Sequence, residues 1–175
     1  MRDDDAYVMA RGLLGGLTEA ELQYLLAVSR HETSYGDGWK RSEEARRSNN
    51  MGAITATRDQ PHFEHPDTHA DGTRFISRFK TYPSKEAGLL DLALVLMKPN
   101  VRAALKSGDG NAAAAAQKAN GYFEATLASY QAALARNHAQ LVKGAGIAPA
   151  VKFDSTGGLG LLLLLAALAY AGASL

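Results

Sequence analysis

Glu32 is the residue whose type and position first indicate chemistry in this chain. It lies seven positions after Leu25 and four after Val28, so helical spacing places its carboxyl group on their apolar face. Partial removal from water and the negative end of the helix dipole both favour a protonated carboxyl group. A carboxylic acid that keeps its proton near neutral pH can act as a general acid. On spacing alone, an ion pair with Arg30 or Arg46 is the alternative.

A second group of chemically active side chains lies in the segment 60–72. Imidazole and carboxylate groups are suitable zinc ligands, but their spacing in a proline-interrupted loop follows no ligand pattern. The chain has no cysteine, which excludes thiolate metal sites and disulfides. We therefore expect no metal and no other cofactor, and we expect these side chains to contact substrate or solvent. They are His62, His65, His69, Asp67 and Asp71.

The elements that must position Glu32 are predicted to be mainly helical. Thr18 and Glu21 have the spacing of a capping box, and the helical pattern that they open runs to Thr33. Alternation over 73–82 predicts a strand, and 52–56 is its expected partner, with 60–72 as a loop. The fold class is thus α+β, mostly α, with a small antiparallel β-lobe. Further helices are predicted over 5–14, 84–98, 101–106, 111–119 and 123–143.

The charge distribution excludes a nucleic-acid-binding function. Nineteen basic residues against eighteen acidic ones leave a formal charge of +1, so no strong field favours nucleic acid. The basic residues Arg41, Arg46 and Arg47 are interleaved with Glu43 and Glu44, as on a solvated helical turn.

The last 21 residues, 155–175, carry no charge and contain a leucine-rich run. As a helix, 157–175 would span about 28 Å, close to the hydrocarbon thickness of a bilayer at about 30 Å. We expect an apolar C-terminal helix that either crosses a membrane or packs between subunits.

Four short segments together resemble a known family. Ala27–Gly36 and Ser48–Ile54 are similar to the helix-end glutamate motif and the following asparagine–glycine motif of the lysozyme-like peptidoglycan hydrolases. Phe79–Ser84 and Gly121–Thr126 are similar to two later motifs, in the same order. The resemblance is strongest to the bacterial and phage endo-β-N-acetylglucosaminidases (the flagellar-type muramidase group), and it covers 17–131.

The resemblance implies a lysozyme-like helical domain that cleaves the glycan strands of peptidoglycan. Glu32 would protonate the glycosidic oxygen, and Glu64 is the nearest match to the second carboxylate of the group. The residues that would bind substrate are Tyr35, Asn50, Gly52, Tyr82 and Tyr122.

Two alternatives remain open at this stage. If no second carboxylate reaches the cleft, a lytic transglycosylase with the same acid is favoured, because a hydroxyl group of the sugar then replaces water. The other alternative is a non-catalytic lysozyme-like subunit that binds glycan or serves in an assembly.

The predicted organisation has three parts. Residues 1–146 form the glycosidase domain, 147–156 a linker, and 157–175 the apolar helix that would contact a membrane or other subunits. The acidic start of the chain does not resemble a signal peptide. The expected site of action is the bacterial cell envelope, reached as part of a phage virion, as a lysis protein or as a tail-anchored enzyme.

Overall fold

The computed structural model describes residues 1–34, 47–69 and 71–154. Within these ranges the chain is mostly helical and contains a small antiparallel sheet. In chain order the elements are α1 (Asp3–Leu13), α2 (Glu19–Ser34), β1 (His62–Thr68), β2 (Arg74–Lys80), α3 (Lys85–Leu96), α4 (Pro99–Leu105), α5 (Gly110–Ala119) and α6 (Leu127–Ala145).

Helix α2 is the centre of the domain, and every residue from 21 to 30 is buried. The predicted capping box is confirmed: the Thr18 N–H donates to Glu21 Oε2 at 2.9 Å, and the Glu21 N–H donates to Thr18 Oγ1 at 3.3 Å. The side chains of Leu22, Leu25 and Leu26 are at most 1% exposed. Burying each leucine contributes about 1.5–3 kcal/mol, so packing against α1, α3 and α6 fixes the position of α2.

The sheet differs from the one that the sequence predicts. β1 pairs antiparallel with β2, with His62 opposite Lys80 and Thr68 opposite Arg74. The prediction of a loop over 60–72 was therefore wrong, and 52–56 contributes a single bridge, from Thr55 to Phe79. β1 has no alternating apolar pattern and contains Pro66, which is tolerated because β1 is an edge strand.

Most of the segment predicted as a linker packs against the domain. The Lys152 N–H donates to Gly108 O at 2.7 Å, and the Gly110 N–H donates to Lys152 O at 2.8 Å. Val151 is buried, and the Phe153 ring stacks on Tyr24 with 6.4 Å between centroids. Residues 147–154 therefore close over the core instead of forming a free connection.

The predicted apolar helix over 157–175 lies outside the described residues. Among the helices of 1–34, 47–69 and 71–154, none combines the length and apolarity needed to cross a membrane.

A tight contact between α3 and the segment before it gives the first testable prediction. A Cβ atom at Gly88 would lie 2.1 Å from the carbonyl oxygen of Asn49, whereas one at Gly12 in α1 would meet no atom within 4 Å. Gly88→Ala should lower the free energy of unfolding by about 3 kcal/mol, because backbone must move. Gly12→Ala, the control, should leave it unchanged or raise it by about 0.5–1 kcal/mol. Urea unfolding measures both, and equal effects would contradict the contact.

The buried His138 gives a prediction on pH. Its Nε2 lies 2.9 Å from Gln23 Oε1, and burial lowers the pKa of this imidazole below its ordinary value of 6.5. The folded state thus binds its proton more weakly than the unfolded state, so stability falls as pH falls below 6.5. Burial, followed by the charge of Arg136, lowers the pKa of His31 in the same direction.

Urea unfolding at pH 7 and pH 5.5 should therefore show a loss of stability in the wild type. The loss should be smaller in His138→Gln, whose amide can still donate to Gln23. Identical pH dependence of the two proteins would show that His138 does not titrate as predicted.

Candidate active site

A cleft of about 440 Å³ opens at the C-terminal end of α2. Glu32 is the only carboxylic acid among the described residues that line it. The lining comprises Glu32, Gly52, Ala53, Ile54, Thr55, Val95, Leu96, Lys98, Gln117, Asn120, Gly121, Tyr122 and Phe123.

The Glu32 carboxyl group is held from α6. Tyr130 donates its hydroxyl hydrogen to Glu32 Oε1 at 3.1 Å, and Glu32 is partly buried, as its place on the apolar stripe predicts. Arg30, the alternative partner from the sequence, is engaged elsewhere: its Nε lies 3.1 Å from Asp3 Oδ1, and its Nη1 donates to Asn137 at 2.9 Å. Arg46, the other alternative, lies outside the described residues.

Tyr130 is itself fixed on several sides. Its ring stacks on Phe123 with 3.7 Å between centroids, and the His31 ring meets it edge-on at 5.2 Å. Gln117 Nε2 donates to its hydroxyl oxygen at 3.3 Å. Burial, and then the charge of Glu32, raises the pKa of Tyr130 well above its usual range, so the hydroxyl keeps its proton and donates.

Asn50, which the sequence predicts to shape the cleft floor, forms hydrogen bonds with the backbone of Gly52 and Ile54, two residues that line the cleft. Its role in binding substrate stays a prediction. The buried Asn50 side chain donates to the carbonyl groups of Ile54 at 2.8 Å and Lys80 at 3.1 Å. It accepts from the N–H groups of Gly52 at 3.3 Å and Ile54 at 2.9 Å. A Cβ atom at Gly52 would lie 2.3 Å from Leu92 Cδ1, so a larger residue at this position would require the Leu92 side chain in α3 to move.

Tyr122 lines the same cleft as Glu32. Its hydroxyl donates to the carbonyl oxygen of Gly52 at 2.8 Å, which joins the late segment to the floor. Lys118 supports the chain that follows Tyr122, because its ammonium donates to the carbonyl groups of Ala125 at 2.7 Å and Glu124 at 3.2 Å. The structure therefore brings Glu32, Gly52 and Tyr122 together around one cleft.

The other two tyrosines predicted to bind substrate are not among the described residues that line the cleft. Tyr82 donates its hydroxyl hydrogen to Asp91 Oδ2 at 2.6 Å, an oxygen that also accepts from Lys80 Nζ at 2.8 Å, and it does not line the described part of the cleft. Tyr35 lies outside the described residues. Contact of either tyrosine with substrate stays a prediction.

Glu64 occupies an exposed position on β1. It is opposite Arg78 in the sheet, and its Oε1 lies 4.0 Å from His62 Nε2. Glu64 is not among the described lining residues of the cleft, and its role as second carboxylate stays a prediction. Within the part of the chain that the structure describes, no three His, Asp or Glu side chains converge as metal ligands.

The sequence interpretation missed Tyr130 and Gln117. Tyr130 precedes Ala133, Leu134 and Asn137 on one helical stripe, so it resembles an ordinary core residue. The signal that was available is chemical: a buried tyrosine hydroxyl requires a hydrogen-bond partner, and so does a partly buried carboxyl group such as that of Glu32.

Comparison with known proteins finds similarity at the level of structure. No known family model matches the chain, and no curated protein matches it. A truncated glycoside hydrolase domain of FlgJ from Salmonella typhimurium is 22% identical, with a TM-score of 0.54 over 81% of this chain and 98% of that domain. This chain has that fold.

Two further solved structures support the same conclusion. A mutant of the peptidoglycan hydrolase from Sphingomonas sp. A1 is 27% identical, with a TM-score of 0.53 over 78% of this chain and 90% of its own. The catalytic domain of the autolysin Auto from Listeria monocytogenes is 15% identical, with a TM-score of 0.51 over 87% of this chain and 85% of its own.

The role of Asn50 in shaping the floor is testable by stability. Asn50→Ala removes four hydrogen bonds and leaves buried backbone groups unpaired, so it should lower the free energy of unfolding by at least about 3 kcal/mol. The control is Asn111→Ala, which loses side-chain donation to Asp154 O at 3.2 Å and should cost less than about 1 kcal/mol. Similar losses in urea unfolding would mean that the hydrogen bonds of Asn50 do not support the floor.

Proposed function

We propose that this protein cleaves the glycan strands of bacterial peptidoglycan, with Glu32 as the general acid. The observation that carries the proposal is the placement of Glu32: it is the one carboxylic acid among the described cleft residues, at the end of a buried helix. The fold adds support, because the similar Salmonella domain is a glycoside hydrolase and the Sphingomonas protein is a peptidoglycan hydrolase.

In the proposed reaction, a glycan strand lies along the cleft with one glycosidic oxygen next to Glu32. The Glu32 carboxyl group gives its proton to that oxygen, the bond to the anomeric carbon breaks, and the sugar acquires oxocarbenium character. The carboxylate that remains accepts the hydrogen bond from Tyr130. An oxygen nucleophile then attacks the anomeric carbon and gives its proton to a base. Glu32 takes up a proton, from that base or from solvent, before the next turnover.

Two nucleophiles are compatible with this step. In hydrolysis, water attacks with help from a second carboxylate, the role that the sequence assigns to Glu64. In a lytic transglycosylase, a hydroxyl group of the sugar attacks and an anhydro sugar is formed. The second reaction is favoured by one observation: the described lining residues include no carboxylate besides Glu32.

The site of action that follows from this activity is the bacterial cell envelope. Delivery by a phage virion and contact of 157–175 with a membrane or with other subunits remain proposals from the sequence. A non-catalytic subunit would bind glycan strands without releasing fragments.

The test compares the wild type with Glu32→Gln on purified peptidoglycan. The variant should lose activity by about 10²–10⁴-fold, the usual contribution of a positioned general acid. Glu124→Gln, which changes an exposed glutamate in the segment after the cleft, is the matched control and should be as active as the wild type. Equal activity of the wild type and Glu32→Gln, or release of no fragments by either, would contradict the proposal.

Mass spectrometry of the released fragments then identifies the bond and the nucleophile. Reducing ends at glucosamine or at muramic acid would show hydrolysis and its bond specificity. An anhydro sugar would show transglycosylation. If hydrolysis is found, Glu64→Gln should lower its rate, and an unchanged rate would exclude Glu64 as the second carboxylate.

A further inference from the structure

Four side chains form a continuous row of hydrogen bonds from the core to the cleft. The Tyr24 hydroxyl lies 2.5 Å from Gln117 Oε1, Gln117 Nε2 lies 3.3 Å from the Tyr130 hydroxyl, and that hydroxyl lies 3.1 Å from Glu32 Oε1. Tyr24 and Gln117 are at most 1% exposed and Tyr130 is 3% exposed. The row therefore runs through a part of the core that is shielded from water.

The direction of these hydrogen bonds follows from the chemistry of the groups. A tyrosine hydroxyl has one hydrogen, and the amide of glutamine has a donor end and an acceptor end. Tyr24 donates to the oxygen of Gln117, which turns the amide nitrogen towards Tyr130. The Tyr130 oxygen then accepts from Gln117, and its one hydrogen is directed at Glu32 Oε1.

We propose that Tyr130, oriented by Gln117 and Tyr24, is a positioning residue that fixes the Glu32 carboxyl group by donating a hydrogen bond to its Oε1. This inference rests on the proposed function, because it concerns the acid of that reaction. Tyr130 contacts Glu32 and is not among the described residues that line the cleft. Two neighbouring rings keep the Tyr130 side chain in place. The Phe123 ring stacks on the Tyr130 ring with 3.7 Å between centroids, and the His31 ring contacts it edge-on.

The row of hydrogen bonds should affect the pKa of Glu32, which can be measured. A hydrogen bond to a carboxylate stabilises the charged form, so Tyr130 holds the pKa of Glu32 below the value that it would have without the hydroxyl. In Tyr130→Phe, the pKa of Glu32 should rise, since the charged carboxylate loses a hydrogen bond that stabilises it. A general acid must be protonated, and the basic limb of the pH profile of kcat should therefore move to higher pH by the same amount.

The experiment measures two quantities in the full-length protein. One is the pH profile of kcat on purified peptidoglycan. The other is the pKa of Glu32, obtained from ¹³C NMR titration of the side-chain carboxyl group and assigned with Glu32→Gln. The matched control is Tyr7→Phe: Tyr7 also donates its hydroxyl to a glutamate, at 3.0 Å from Glu19 Oε1, and does not line the cleft. Tyr7→Phe should leave both quantities as in the wild type.

The expected result for Tyr130→Phe is a lower kcat, by about tenfold, with the pKa of Glu32 and the basic limb displaced upward together. A second variant, Gln117→Met, keeps the side-chain length but removes the donor to Tyr130, and it should displace the pKa in the same direction by a smaller amount. Unchanged titration of Glu32 in folded Tyr130→Phe would overturn the inference.

The NMR titration separates this inference from the proposed function. If the wild type releases no fragments but the pKa of Glu32 still rises in Tyr130→Phe, the proposed reaction fails and the positioning of the carboxyl group stands. If the wild type is active and Glu32→Gln is not, but Tyr130→Phe behaves as Tyr7→Phe does, the reaction stands and the positioning role fails.

Discussion

The structure depends on the burial of α2. This helix is buried from residue 21 to residue 30, and its last turn carries Glu32 out of the core to the edge of the cleft. Because α1, α3 and α6 all pack against α2, the Glu32 carboxyl group is attached to an element that is constrained on several sides. A carboxyl group on a loop would not be placed with the same precision.

Polar side chains inside the core extend this constraint to the rest of the site. Gln23 is fully buried and joins α2 to α6 and to the segment 147–154, by accepting from His138 and Ala150 and donating to Ala148. The Tyr24 and Gln117 hydrogen bond does the same between α2 and α5. These buried groups keep their hydrogen bonds only when the elements are arranged as they are here. The polar core therefore specifies the arrangement of the helices, and apolar packing stabilises it.

The sequence predicted the helices and the partly buried position of Glu32 well, because both follow from local patterns. The capping box at Thr18 and the apolar stripe that includes Glu32 need no knowledge of distant residues. β1 was not predicted because it has no apolar alternation, and it is a strand through its pairing with β2. The role of Tyr130 was not predicted because its partner, Glu32, is 98 residues away in the chain. The packing of Phe153 on Tyr24 is likewise a long-range contact that composition does not reveal.

The central claim is that the cleft at the end of α2 binds a glycan strand with Glu32 at the bond to be cleaved. The most direct measurement is backbone NMR of Glu32→Gln titrated with a soluble, uncrosslinked peptidoglycan fragment, which this variant should bind without cleaving. Chemical-shift changes should concentrate at 52–55 and 120–123, the two continuous segments among the residues that line the cleft. Saturable binding with changes confined to other surfaces would contradict the account.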